Sequence, residues 1–399
     1  MSGLVRYLTA AVLVRGADSG TTVGLLLLAA DRHLSAAVGG LLVAALNAPH
    51  LVGPWLAARL DRARDRRWLL AAAYLLYGLA LAAGALTIGS LAAVGAVAVA
   101  GCCGPLLTGG LSSVLGDLGA GRRRRGWDAL TYGVGGTAGP AAAAGLTALG
   151  GPLDAVLGPA VAAGVGGALV LTLPLAAREP AREVAGLRAG LAVLVRKPAL
   201  RRVTVLTLLA AVELGALPVV AVRFGSELHG SAAAGATLTV AYGAGSLLGS
   251  ALVTAWPLRG EPALLAARLF GAMAVATALC ALAPGYVSAV AGFGVLGLLN
   301  ATSFTATLTA RGGYAPAGAQ AQVFVTSAGL KVAMAAAGAA LAGAASGLGG
   351  RGLLLGAAST TGLAVVLAWV DRKQAARPPR KTAAQAENRP APWRDDEAA

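Results

Sequence analysis

Long apolar runs with few charges alternate with short charged connectors along almost the whole chain. A membrane-spanning helix needs about 20 predominantly apolar residues. Twelve runs are long enough: 8–30, 35–57, 68–89, 91–115, 127–148, 152–175, 203–222, 232–256, 264–283, 286–310, 320–345 and 353–370. The pattern therefore predicts an all-α polytopic membrane protein with twelve transmembrane helices. Segment 176–202 is charged apart from a short apolar stretch at 189–195, and it divides the runs into six and six. We expect two six-helix halves, 1–175 and 203–370. The linker between them is expected to be cytoplasmic and partly an amphipathic helix on the membrane surface. The tail 371–399, rich in Pro, Ala and charge, is expected to be disordered.

The halves echo each other. Arg6 precedes Asp18 in the first run by the same interval as Arg201 precedes Glu213 in the seventh. A duplicated six-helix unit with an acid at the heart of each first helix explains this.

Composition agrees with the periodicity. The 399 residues are 57% hydrophobic and 12% charged, against about 25% charged in soluble domains. The net charge of +15 does not signal nucleic acid, because its location explains it. Apart from Arg15 and Lys331 inside spans and Arg32, Arg223 and Arg351 on the far side, every Lys and Arg falls in the termini, in loops on one side or, for Arg268, in the first turns of run 264–283 next to such a loop. Arginine in short loops stays in the cytoplasm. Both termini are thus expected inside, in the plasma membrane. The start of the chain lacks a small-residue cleavage site, so the first helix is expected to be retained. Cys102, Cys103 and Cys280 read as small buried side chains, with no metal site and no disulfide framework.

Charges inside the bilayer are the candidate chemistry. An Asp or Arg at a helix centre costs about 2.5–3.5 kcal/mol to insert, while a Leu or Val returns only about 0.3–0.6 kcal/mol. Arg15, Asp18 and Thr22 share one helix face. Asp18 is the first candidate for a proton-coupling carboxylate, with a static Arg15–Asp18 pair as the alternative. Glu213 is the second, and Lys331 is a possible partner across the bundle. Polar stripes run along three helices: Gln320, Phe324, Ser327 and Lys331; Thr239, Tyr242, Ser246 and Ser250; and Asn300, Ser303 and Thr307. Asn47 and His50 share a further face. Asn47, Tyr242, Asn300 and Ser327 are the candidates for contact with a substrate, with helix packing as the alternative use of each stripe.

Two motifs give the chain a family. Segment 57–67 reads AARLDRARDRR. Its Leu60, Asp61, Arg62, Arg66 and Arg67 fit the loop between helices 2 and 3 of the major facilitator superfamily, which this architecture resembles over residues 4–370. Ala57 stands where a glycine is usual. In the fifth run, Gly126, Gly135, Gly139 and Pro140 fit that superfamily's antiporter signature, with Ala143 and Ala144 replacing its final glycine pair. The resemblance is to the drug/proton antiporter-like branch. It stops short at run four, which has no arginine, and at 24–30, GLLLLAA, which has no proline.

The resemblance implies a cytoplasmic gate at Asp61, Arg62, Arg66 and Arg67, with the Asp61 carboxylate against the positive N-terminal end of helix 11. It also implies a cavity lined by helices 1, 4, 7 and 10, and export in exchange for protons. The expected protein is a secondary transporter for a small amphipathic compound, not an enzyme. It is expected to need no cofactor and no nucleic acid, and to work as a monomer in the bilayer. Uptake by symport or uniport, and a non-transporting scaffold or sensor with the same fold, remain the alternatives.

Overall fold

The computed structural model describes residues 3–118, 122–175, 187–256, 258–315 and 320–375. Among them there is no strand, and twelve helical segments run back and forth. They are α1, Gly3–Asp31; α2, a broken segment; α3, Arg66–Leu86; α4, Leu91–Ser113; α5, Arg122–Gly150; and α6, Asp154–Leu171. After the linker come α7, Pro198–His229; α8, Ala232–Ala255; α9, Pro262–Ala281; α10, Tyr286–Tyr314; α11, Gln320–Ala344; and α12, Gly349–Ala375. Ten of the twelve are long and apolar enough to cross a membrane on their own. The exceptions are α2, which is interrupted, and α5, which begins with Arg122–Arg125.

Each interruption has a local cause. In α2, Ala36–Asn47 passes into a 3-10 turn, Ala48–Val52, before Gly53–Arg62. Pro49 lies in that turn and has no N–H to continue the α ladder. In α4, Pro105 precedes a π turn, Leu106–Gly110. Caps fix several starts. Ser35 accepts from the Val38 N–H and Ser90 from the Ala93 N–H. Asp65 accepts from the Arg67 N–H at 3.0 Å and pairs with its guanidinium at 2.8 Å. The Arg67 side-chain hydrogen bonds hold the Asp65 carboxyl below its ordinary range.

Several boundaries depart from the sequence expectation. Helix α7 is longer at both ends than 203–222 and stops at Gly230, which is left-handed at φ 74°. Helix α12 runs to Ala375, five residues into the expected tail, because Asp371 bridges Arg201 at 2.9 Å and Arg202 at 2.7 Å. The rest of the tail lies outside the described residues. The linker helix Leu187–Arg196 forms as its apolar stretch implies, but Leu194 is buried and packs with Leu200 and Val323. Its apolar side thus docks on α7 and α11. Cys102 is exposed, contrary to expectation, while Cys103 and Cys280 are buried.

The helices build two bundles. In the first, α1 packs on α5 and α6, and α3 on α4 and α6; in the second, α7 packs on α11 and α12, α8 on α10, and α9 on α10 and α12. Each bundle has its own apolar core, with Tyr7, Tyr74 and Tyr77 in one and Phe224, Phe270 and Phe293 in the other. The outer surface is apolar as well: Leu91 is 84%, Val287 82% and Leu149 90% exposed. Hydrocarbon covers such a surface, and helices alone satisfy the backbone inside it. The chain is a multi-pass membrane protein of two six-helix halves.

Candidate functional site: the cavity between the halves

The halves meet along two helix pairs, α2 with α11 and α5 with α8. Both seams are built from small residues. A Cβ on Gly40 would stand 2.9 Å from Gly343 Cα, and one on Gly243 3.0 Å from the Gly136 carbonyl oxygen. The α2–α11 seam is tightest at the end away from the arginine-rich loops. At that end, Val23, Leu27, Ala143, Ala155 and Ala236 also form a small core that ties α1, α5 and α6 to α8.

Beneath this seal lies a cavity of about 190 Å³. Ser19, Thr22 and Val23 of α1 line it, with Gly136 and Pro140 of α5, Leu214, Leu217 and Pro218 of α7, Thr239 and Tyr242 of α8, and Phe293 of α10. Its wall is apolar with a few hydroxyls and carries no charge. Such a lining suits a compound held mainly by apolar contact and oriented by a few polar groups.

Of the four substrate-contact candidates, Tyr242 lines this cavity. Asn47 donates to the Val43 carbonyl of its own helix at 2.8 Å. Asn300 is half-buried. Ser327 is fully buried and its hydroxyl has no partner. The α8 stripe therefore divides: Thr239 and Tyr242 face the cavity, while Ser246 donates across to the Gly297 carbonyl of α10 at 3.0 Å.

Asp18 and Glu213 stand behind the wall rather than in it. Asp18 is half-buried and directly precedes Ser19, which lines the cavity. Glu213 is fully buried. One of its oxygens accepts from the Thr277 hydroxyl of α9 at 2.5 Å. Its other oxygen has no hydrogen-bond partner. Leu214 and Leu217, on the same helix, line the cavity.

Arg15 is not the partner of Asp18. It pairs with Asp128 of α5 at 2.9 Å, donates to Ser112 at 2.8 Å and to Thr131, and lies 3.5 Å from the Tyr132 ring centroid. The Tyr7 hydroxyl donates to the same carboxylate at 2.6 Å and Ser112 at 2.9 Å. This buried network joins α1, α4 and α5. Asp128 escaped the sequence reading because it sits one residue inside the apolar run after four arginines, where an acid looks like part of the loop. An acid and a base in separate spans of one half were the available signal.

Lys331 does not meet Glu213 either. Its ammonium lies 4.4 Å from the Phe304 ring centroid, and Arg311 is the charge acting on it.

The two motifs are placed differently. The Asp61 and Arg62 side chains, and residues 316–319 before α11, lie outside the described ones, although Gly53–Arg62 touches α11. Arg66 is buried and donates to the Ser113 carbonyl at 3.5 Å, and Arg67 to the Leu173 carbonyl at 3.2 Å. Both therefore brace their own half. In α5, Gly126 is outside the described side chains, while Gly135 and Gly139 allow backbone contact with α1. A Cβ at Gly135 would stand 2.8 Å from Arg15 Cβ, and one at Gly139 2.8 Å from the Gly20 nitrogen. Pro140 lies in the cavity wall.

No family model and no curated protein matches the sequence. Solved structures do match in fold. A POT family transporter in complex with 5-aminolevulinic acid superposes with a TM-score of 0.72 at 12% identity, covering 94% of this chain and 97% of that one. A bacterial homologue of the human lysosomal transporter Spinster, inward-facing and occupied, gives 0.69 at 14%, covering 93% and 96%. A D-xylose-proton symporter gives 0.69 at 14%, covering 91% and 96%. At these identities the likeness establishes the fold alone, an all-helical bundle of two six-helix halves shared with these transporters.

Proposed function

We propose that this chain is a secondary active transporter of a small amphipathic compound, exporting it in exchange for protons. Residues 1–175 rock against 203–370, with 176–202 as the cytoplasmic link. Both termini face the cytoplasm of the cell whose plasma membrane holds it, as the arginine distribution requires. The observation that carries this reading is the uncharged cavity between the two halves, sealed at one end, with Asp18 and Glu213 directly behind its wall.

A buried carboxyl with an open side can take a proton when one end is open and lose it when the other is. Glu213, with one oxygen lacking a hydrogen bond, meets that description. Asp18, half-buried beside the cavity-lining Ser19, meets it as well. Their symmetric places in α1 and α7 give each half one such group. The direction, export, rests on Gly135, Gly139 and Pro140 of α5, where tight packing on α1 adjoins a proline in the cavity wall. The loop around Asp61 and Arg62, beside Arg66 and Arg67, serves as the cytoplasmic gate against α11. The D-xylose-proton symporter carries the same fold, so uptake with protons is the competing direction.

Proteoliposomes with a pH-reporting dye inside test this. A panel of amphipathic compounds is added and compound-dependent proton movement is read. Export by exchange predicts that protons move opposite to the compound, and that Asp18→Asn and Glu213→Gln each abolish the coupled flux. Protons moving with the compound would reverse the direction. Full coupled flux in both variants would remove the two carboxyls from the mechanism.

A further inference from the structure

Arg311 of α10 and Lys331 of α11 are two cations on neighbouring helices, and the described residues supply neither with a counter-ion. Arg311 of α10 is 2% exposed, and its Nε and Nη2 atoms have no hydrogen-bond partner. The neighbouring α11 offers Lys331, a second cation, and Ser327, fully buried with an unpartnered hydroxyl. Two contacts fix the antiparallel register of these helices. Lys331 lies on the Phe304 ring, and Phe324 faces Gly312. That register sets Ser327 level with Leu308, one turn from Arg311 on the side toward which its side chain leans. Lys331 follows one turn further on.

The acids found elsewhere in the second half are committed. Glu227 pairs with Arg223, Glu261 with Arg372, and Asp371 with Arg201 and Arg202. Glu213 is held by Thr277. Thr307 and Ser303 turn their hydroxyl protons back to their own helix. A buried guanidinium with free donors beside a second cation is destabilising unless something anionic joins it. The ring of Phe304 compensates Lys331 in part and does nothing for Arg311. Val323, one turn from Ser327 toward the arginine-rich end, is buried with Leu194 and Leu200, and Tyr314 and Leu330 pack against them.

We propose that Arg311, Lys331 and Ser327 bind the oxyanion of a soluble amphipathic acid. Arg311 supplies two free donor nitrogens, Nε and Nη2, Lys331 a charge and Ser327 a hydroxyl, a set suited to a carboxylate. As a statement about what is carried, this rests on the transport reading above and narrows its compound to an acid. As a binding site it stands alone.

The test is thermal stability of the protein in phosphatidylcholine nanodiscs, titrated with octanoate or with octanamide. Octanoate is expected to raise the melting temperature saturably and octanamide is not. Arg311→Gln and Lys331→Gln are each expected to weaken the half-saturating octanoate concentration at least about tenfold. Arg311→Gln should also raise the melting temperature without ligand, since it removes an uncompensated buried charge. A purely structural arginine would lower it. Equal responses to acid and amide, or an unchanged octanoate response in the double variant, would overturn the proposal. So would loss of that response when phosphatidylglycerol is added to the discs, because the site would then belong to a lipid headgroup. Octanoate binding in a protein that moves no protons would leave this site standing and remove the transport reading.

Discussion

Arg15 and Asp128 meet at 2.9 Å, with the arginine side chain 2% and the aspartate 13% exposed. Removing one partner of such a pair strands the other, at a cost of about 3–5 kcal/mol, whereas replacing both with apolar groups is often nearly neutral. Arg15→Met alone should therefore lower unfolding stability by about that amount, and Arg15→Met with Asp128→Leu should recover most of it. Unfolding in a denaturing detergent series reads both. Costs that simply add would mean that the two side chains do not act as a pair. The sequence exposed Arg15 through its position in an apolar run, but not its partner, because pairing across 113 positions of chain is set by how α1 packs on α5. Glu213 shows the same limit. Its burial was legible from its place in α7, whereas the Thr277 hydroxyl of α9 that holds it was not, and Lys331 is not its partner.

At the scale of elements, apolar run length located the twelve helical segments, ten of them long and apolar enough to cross a membrane on their own, because hydrocarbon thickness imposes run length directly. It did not reveal the 3-10 break in α2 or the π turn in α4, where Pro49 and Pro105 act within spans whose hydropathy is uninterrupted. The glycine spacing of α5 was legible and its contact partner was not. Gly139 and Gly136 make a sharp comparison. A Cβ at Gly139 would stand 2.6 Å from Ser19 Oγ and 2.8 Å from the Gly20 nitrogen, while one at Gly136 meets nothing within 4 Å. Gly139→Ala should thus destabilise the fold by about 1–3 kcal/mol through overpacking. Gly136→Ala should be neutral or stabilise by up to about 1 kcal/mol from helix propensity. Melting temperatures of the purified variants check this, and equal effects would contradict close α1–α5 contact at Gly139.

For the whole molecule, the six-and-six division was readable from the basic linker and the echo of Asp18 in Glu213. The cavity was not, because its wall takes residues from α1, α5, α7, α8 and α10 whose mutual orientation no single run encodes. Of the helices implied to line it by family resemblance, α1, α7 and α10 contribute, and α5 and α8 contribute as well. The seams α2–α11 and α5–α8 are narrow and made of small residues, so the halves are two bodies in contact along lines. In the proposed transport cycle, rocking about the cavity would open one end as it closes the other.

Distances between spin labels at both ends of one molecule test that motion most directly. In a Cys102→Ser background, one pair replaces Arg64 and Arg259 at the arginine-rich end, and the other replaces Arg32 and Leu348 at the far end, all of them exposed positions. The account predicts two populations at each end, shifting in opposite directions when pH or a transported acid changes the balance. A single unchanging distance at both ends, or both ends opening together, would contradict it.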